Sequence, residues 1–386
     1  MNDVRKIAVV ITARPSYSRV KTVLKAIKGH SLLKLQLIVA ASALLDRYGN
    51  VSKNILADGF DIDEKVFMVL EGENPTTMAK TTGLGVMELA TVFSNLKPDI
   101  VVTIADRYET IATAIAGAYM NIPVAHIQGG EVTGSIDEKV RHSITKLSDY
   151  HFTSSKDASN RVIKLGEDPN FVFNTGCPSI DLAKKVKNSN SLDFIPTDKY
   201  KGVGADLSDV KDYIVVMQHP VTTEYIRSKE HVTYTLQAIH DLNQPTFWFW
   251  PNVDAGSDAT SGAIRRFRER NVNNKIHFFK HMDSIDFLKL LCNSECLVGN
   301  SSVGIRECAY LGIPVVNIGT RQQKRQRGNN VIDVGYNSES IRNAVLKWKN
   351  LPNPITSDVY GDGKAGKKIA DILSKLPLKT QKIITF

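Results

Sequence analysis

What most constrains this chain is a rhythm: short apolar runs rich in β-branched and aromatic residues alternate with longer amphipathic stretches along nearly its whole length. Such an order is the signature of parallel strands joined by crossover helices, because a parallel pair needs a connection long enough to return to the same edge. In the first half the predicted strands are Lys6 to Thr12, Leu35 to Ala41, Lys65 to Leu70, Ile100 to Ala105, Val124 to Gln128, His151 to Thr153 and Phe171 to Asn174. Helical stretches fall between most of them, among them Val20 to Ile27, Met78 to Leu96, Ile111 to Met120 and Ala158 to Leu165. Between about Lys187 and Asp212 the pattern fades into Asn, Ser, Asp, Gly and Pro, which reads as a linker. It restarts with Tyr213 to Gln218, Phe247 to Pro251, Ile276 to Phe279, Cys296 to Gly299 and Val315 to Ile318, and closes on a helix from Lys367 to Leu376. The expected fold is α/β, with two doubly wound Rossmann-like domains at 1–186 and 213–365, a linker at 187–212 and a helical segment at 366–386. Two such domains leave a cleft between them that the carboxyl ends of both sheets face, so functional residues are expected just after strands.

Several classes fall away on composition. With 42% hydrophobic and 23% charged residues among 386, and apolar runs far shorter than the ~20 residues of a membrane span, the chain reads as neither disordered, collagenous nor transmembrane. The run Ile7 to Ile11 is too short for the apolar segment of a signal peptide and reads as the first strand. Cys177, Cys292, Cys296 and Cys308 lie too far apart for a disulfide framework or a zinc motif, so a reducing cytoplasm is the expected home. The net charge of +9 admits nucleic acid, an acidic membrane or a phosphate-bearing substrate. Most basic residues are scattered; one cluster stands out at Arg321, Lys324, Arg325 and Arg327, where a solvated loop is the plain alternative.

The unusual polar clusters do follow strands. In Gly299-Asn300-Ser301-Ser302-Val303-Gly304 an apolar strand runs into small hydroxyl residues and a helix, Ile305 to Leu311, an arrangement that can offer backbone N–H groups to a phosphate. Alone it is equally an N-cap with a glycine turn. Arg306 and Glu307 in the next turn, and the basic loop at Arg321, favour a nucleotide diphosphate, with Glu307 accepting from ribose hydroxyls. The dinucleotide fingerprint is missing, since Thr12-Ala13-Arg14-Pro15-Ser16 follows the first strand.

Asp106-Arg107 ends one strand, and His126-Ile127-Gln128-Gly129-Gly130-Glu131 ends the next. A local salt bridge would explain the first pair; two glycines beside Glu131 would let a ligand approach the backbone, and Asp137 and Arg141 stand four apart on the following helix. Several carboxylates near cations at one mouth suit proton transfer, which needs a base and an acid. His219, between Gln218 and Pro220, is aimed outward by the turn, whereas His126 inside a strand reads as a core residue. Asn252 and Asp254 form another strand-end loop, either an Asx turn or a ligand contact. No metal motif, Walker loop or Gly-x-Ser-x-Gly elbow occurs.

These stretches resemble the hydrolysing UDP-N-acetylglucosamine 2-epimerases, stand-alone form, of the sialic and legionaminic acid pathways. The resemblance is carried by Leu96-Lys97-Pro98-Asp99-Ile100, Gly129-Gly130-Glu131-Val132, Arg141-His142, Gln218 to Thr223, Pro251 to Ser257, Gly299 to Ser302, Gly319 to Gln322 and Tyr360 to Gly363. It implies a two-domain fold like that of the B-type glycosyltransferases, with the last helix crossing back onto the first domain. It also implies conversion of UDP-N-acetylglucosamine and water to N-acetylmannosamine and UDP, without metal or other cofactor, by anti elimination to a 2-acetamidoglycal and rehydration. By matching position, Arg14, Ser18, Arg107, His219, Asn252, Ser301, Ser302, Glu307 and Arg321 would hold the nucleotide and diphosphate, while Asp106 and Asp137 match carboxylates implicated in chemistry.

Three departures stand out: Gln128 where many members have Glu in His-Ile-Glu-Gly-Gly-Glu, Ser16 where eukaryotic epimerases have Asp, and Ala43 where they have His. They leave room for a related sugar, UDP-2,4-diacetamido-2,4,6-trideoxyglucose. With Gln128 neutral, Asp106 and Glu131 become the acid/base candidates, Asp137 supports them and Gln128 hydrogen-bonds the sugar. The expected partners are thus a UDP-sugar and UDP in a homo-oligomer, with no nucleic acid and no membrane. A sugar-nucleotide glycosyltransferase would share the fold but carry an acceptor site, and a nucleic-acid-binding protein should show exposed aromatics on a basic face, whereas Phe247 to Trp250 read as a core strand.

Overall fold

The run Arg5–Ile11, buried from Ile7 onward, forms strand β1, an interior strand of a seven-stranded sheet. Its companions are β2 (Leu33–Ala40), β3 (Glu64–Val66), β4 (Ile100–Ile104), β5 (Val124–Ile127), β6 (Tyr150–Thr153) and β7 (Val172–Asn174). They lie in the order β3-β2-β1-β4-β5-β6-β7, and every pairing is parallel. Helices on both faces explain why β4, Ile-Val-Val-Thr-Ile, is buried throughout instead of alternating. This computed structural model describes residues 4–46, 50–71, 74–105, 107–133, 136–189, 191–251, 256–271 and 274–385.

The chain divides into two compact units. The first comprises Met1–Glu131, Ile136–Asp181 and Tyr360–Phe386. Its last helix, Ala365–Leu373, lays Ile369, Ala370 and Leu373 into the same core as Val20, Val23, Leu24 and Ile27 of helix Arg14–Lys28. Asp181 caps that helix by accepting from the N–H groups of Ala365 and Gly366 at 2.8 and 2.7 Å.

The second unit comprises Val132–Ser135 and Leu182–Val359. Its sheet is built from β8 (Val203–Gly204), β9 (Ile214–Met217), β10 (Thr246–Phe249), β11 (Ile276–Phe279), β12 (Cys296–Gly299), β13 (Val315–Ile318) and β14 (Val331–Val334). The order is β14-β13-β12-β9-β10-β11-β8, parallel except that β8 runs antiparallel to β11. The aromatic run in β10 is core, with Phe247, Trp248 and Phe249 buried.

The stretch read as a linker, 187–212, is corrected here: it contains a short helix, Pro196–Tyr200, and edge strand β8. Its few apolar side chains, among them Phe194, Tyr200 and Leu207, pack into the core of the second unit, and they are too widely spaced to show a period in the sequence. In doubly wound sheets a ligand site forms where the strand order reverses. The two reversal points lie between β1 and β4 in the first unit and between β9 and β12 in the second.

Candidate active site

At the reversal point of the second unit, β12 ends on Gly299 at φ +140°, where a Cβ would stand 2.1 Å from the Met217 carbonyl oxygen of β9. Only glycine permits that approach. It brings Asn300 against the neighbouring loop: its N–H donates to Met217 O at 3.1 Å, its Oδ1 accepts from the His219 N–H, and its Nδ2 donates to the His219 carbonyl, both at 2.8 Å. The Asn300 carbonyl in turn accepts from Arg321 Nη1 at 3.2 Å and Gln322 Nε2 at 2.9 Å. One buried residue thus ties together the loops that follow β9, β12 and β13, and with them His219, Ser301, Ser302 and Arg321.

Ser301 is the N-cap of Ser302–Ile305, and Arg306 Nη2 donates to Ser302 Oγ at 2.8 Å. The single helix expected from Ile305 to Leu311 is two short ones, Ser302–Ile305 and Glu307–Leu311, meeting at Arg306. Glu307 is buried, and its Oε2 has no hydrogen-bond partner among the described residues. A buried, unsatisfied carboxylate oxygen is costly, and a ligand hydroxyl would relieve it.

In the first unit Arg14 opens helix Arg14–Lys28 with Ser18 one turn on, so both share a face. Three non-glycine residues past strand ends occupy the left-handed region: Ala41 (φ 50°) after β2, Ala105 (φ 65°) after β4 and Gln128 (φ 67°) after β5. Backbone strain of this kind, about 1–2 kcal/mol each, gathers at functional sites. Ala105 precedes Asp106, which, like Asn252 and Asp254, lies outside the described residues. Arg107 Nε donates to the buried carboxylate of Glu109 at 2.8 Å.

Gln128 is buried; its Nε2 donates to Cys177 Sγ at 2.9 Å and its Oε1 has no partner among the described residues. The glycines after it have a packing role of their own. A Cβ on Gly130 (φ 74°) would stand 2.2 Å from the Ala158 carbonyl oxygen, and one on Gly129 would stand 2.9 Å from His126 Nδ1, so both are demanded by the protein's own packing. Glu131 is buried with its carbonyl accepting from Arg141 Nη1 at 2.9 Å, and Asp137 begins the helix Asp137–Leu147 that carries Arg141. His126 is a core residue: burial, outweighing its bond to the Ala105 carbonyl, lowers its pKa to about 3.

The structure therefore groups Arg14, Ser18, Arg107, Gln128, Glu131 and Asp137 in the first unit and His219, Ser301, Ser302, Arg306, Glu307 and Arg321 in the second. Sequence reasoning passed over Asn300 and Gln322, although an amide between a glycine and two serines at a strand end was the available signal.

Residues 25–374 match the family described as UDP-N-acetylglucosamine 2-epimerase. The chain belongs to that family. Among similar members are the UDP-N,N'-diacetylbacillosamine 2-epimerase (hydrolyzing) of Legionella pneumophila, 33% identical over 378 residues with 98% of each chain covered, and the UDP-N-acetylglucosamine 2-epimerase of Neisseria meningitidis, 28% identical over 360 residues covering 93% of this chain and 91% of that one. A solved UDP-GlcNAc 2-epimerase from Methanocaldococcus jannaschii, in complex with UDP-GlcNAc and UDP, matches with TM-score 0.79 at 19% identity, covering 96% of this chain and 99% of that one. The fold is the two-sheet α/β fold of this epimerase family, like that of the B-type glycosyltransferases. Among the described residues no helix is long and apolar enough to cross a membrane, and no group of three His, Cys, Asp or Glu is placed to hold a metal ion.

Proposed function

We propose that this epimerase-family chain hydrolyses a UDP-linked 2-acetamido sugar with inversion at C2. The observation that carries the nucleotide half of this reading is the unsatisfied buried carboxylate of Glu307 beside the Ser301–Ser302 turn, in a loop cluster that Asn300 ties to Arg321 and His219. Glu307 accepts from ribose hydroxyls, Ser301, Ser302 and Arg321 hold the diphosphate, and Arg306 orients the Ser302 hydroxyl. Arg14, Ser18, Arg107 and Asn252 complete the hold on substrate.

In the proposed reaction a base removes the C2 proton, the C1–O bond breaks with its electrons leaving on UDP, and a 2-acetamidoglycal remains. Water then adds at C1, giving up a proton to a carboxylate, while an acid returns a proton to C2 from the opposite face. Asp106 and Glu131 are the proton carriers, Asp137 supports them, His219 meets the leaving diphosphate, and Gln128 hydrogen-bonds the sugar. A neutral amide cannot take up the C2 proton, and the Gln128 Oε1, which has no partner among the described residues, suits acceptance from an acetamido N–H or a sugar hydroxyl.

UDP-N-acetylglucosamine is the leading substrate. The second reading, UDP-2,4-diacetamido-2,4,6-trideoxyglucose, is favoured by the name and full-length similarity of the Legionella relative. Both are tested by UDP release without any acceptor, the two sugars side by side. Turnover of either supports the hydrolysing reading and their ratio fixes the C4 substituent; release of UDP only when an acceptor is added would point to a glycosyltransferase instead.

A further inference from the structure

A second cluster, beside the Arg321 loop and outside the roles given above, converges on one carboxylate. Glu224 lies in the turn Thr222–Arg227 after β9, at a residue whose backbone departs from helical geometry (φ −123°, ψ 16°). Its Oε1 accepts from Thr320 Oγ1 at 2.6 Å, its Oε2 accepts from the Tyr336 hydroxyl at 3.1 Å, and His231 Nδ1 stands 3.7 Å from the same oxygen. The Tyr336 ring lies flat on the His231 imidazole, with centroids 3.5 Å apart and an interplanar angle of 6°. It also abuts Gly319, where a Cβ would stand 2.3 Å from the ring.

These contacts join the loop after β9, the turn after β13 and the second residue after β14. His231 and Tyr336 also line a small pocket together with Gln218 and His219. Burial lowers the pKa of His231 and, with Glu224, raises that of the Tyr336 phenol, so at neutral pH the imidazole is uncharged and the phenol remains a donor. Thr320 is the residue before Arg321, whose guanidinium reaches the Asn300 carbonyl. A short hydrogen bond from Thr320 to a carboxylate is therefore the fixed point from which the Arg321 side chain departs.

We propose that Glu224 is a positioning residue for Arg321: by accepting the Thr320 hydroxyl it holds the Gly319–Thr320–Arg321 turn in the conformation that presents the guanidinium to a diphosphate. This rests on the nucleotide reading given above, and the test separates the two. UDP titration calorimetry on the full chain compares the wild type with Glu224→Gln, Thr320→Val, Thr320→Ser, Arg321→Ala and the double variant Glu224→Gln/Arg321→Ala, each first checked for an unchanged thermal unfolding profile. An amide at 224 offers one acceptor to two hydroxyl donors, so Glu224→Gln should weaken UDP about tenfold, as should Thr320→Val, while Thr320→Ser keeps wild-type affinity. Arg321→Ala should weaken UDP at least as much, and adding Glu224→Gln to it should cost nothing further, because the group being positioned is gone. Additive losses in the double variant, or wild-type affinity in both Glu224→Gln and Thr320→Val while Arg321→Ala binds weakly, would overturn the positioning role. Unchanged affinity in Arg321→Ala would overturn the diphosphate reading and the positioning role with it.

Discussion

Asn300→Ala is the substitution that most directly probes how the second unit assembles its loops. Asn300 and His219 are buried, and the amide exchanges two 2.8 Å hydrogen bonds with the His219 main chain. Truncation removes both of these buried hydrogen bonds, each loss costing about 1–3 kcal/mol, and water entering the vacated space recovers part of it, so a net destabilisation of about 2–4 kcal/mol is expected. Asn300→Asp should be no better, because a carboxylate still accepts from the N–H but faces the carbonyl with a second oxygen and buries a charge. The assay is built in: Trp248, Trp250 and Trp348 are the chain's three tryptophans and all lie in the second unit, so urea unfolding followed by tryptophan fluorescence reports on that unit alone. Both variants should shift the midpoint down and weaken UDP binding. A midpoint and a UDP affinity that both match wild type in Asn300→Ala would refute the inference that this side chain organises the site.

Gly299→Ala should unfold the same unit at a clearly lower urea concentration and abolish UDP binding, since its Cβ would collide with Met217 O at 2.1 Å, whereas Gly335→Ala, with nothing within 4 Å, serves as the neutral control. In the first unit the buried Glu167 feels burial pushing its pKa up, but hydrogen bonds from His151, Lys146 and Lys382 outweigh this and hold it at about 2. A folded-state pKa below the ordinary carboxylate value contributes stability above pH ~4.5 that drains away as pH falls toward 2, up to about 3 kcal/mol. Glu167→Gln should therefore lower Tm at pH 7 and shrink the Tm difference between pH 7 and pH 3 in calorimetry. For the proposed proton carriers, Asp106→Asn and Glu131→Gln should each cost about two decades in turnover with substrate binding largely kept, while Gln128→Glu changes turnover less than about tenfold. A chain that is silent as it stands and becomes active on Gln128→Glu would reassign the base to residue 128.

The central strands of the first sheet were legible because they are dense apolar runs ended by a polar or glycine-bearing turn, as in Ile100–Ile104, whereas the strand read from Lys65 to Leu70 is only the short edge strand Glu64–Val66, two of whose three residues are charged. In the second sheet β8 and β14 escaped notice. Val203–Gly204 is two residues long and exposed, and Val331–Val334 is an edge strand carrying Asp333, so neither shows the continuous apolar run of a strand buried on both faces. The Ser301–Ser302 turn, Glu307 and Arg321 could be picked out because their polar side chains interrupt the pattern at strand ends. The Glu224–Thr320–Tyr336 cluster could not, since its members are 96 and 112 residues apart and only the register of the sheet brings them together. The paired glycines at Gly129–Gly130 show the opposite limit, where a sequence feature was visible but the neighbour it makes room for was not.

The central claim, elimination and rehydration with release of UDP, is tested by running the reaction in deuterated water and following it by NMR. The expected result is free UDP in step with a manno-configured 2-acetamido sugar that carries solvent deuterium at C2. UDP released with no deuterium at C2 would mean plain hydrolysis, and C2 exchange that yields a UDP-linked epimer without free UDP would mean a non-hydrolysing epimerase; either would contradict the account.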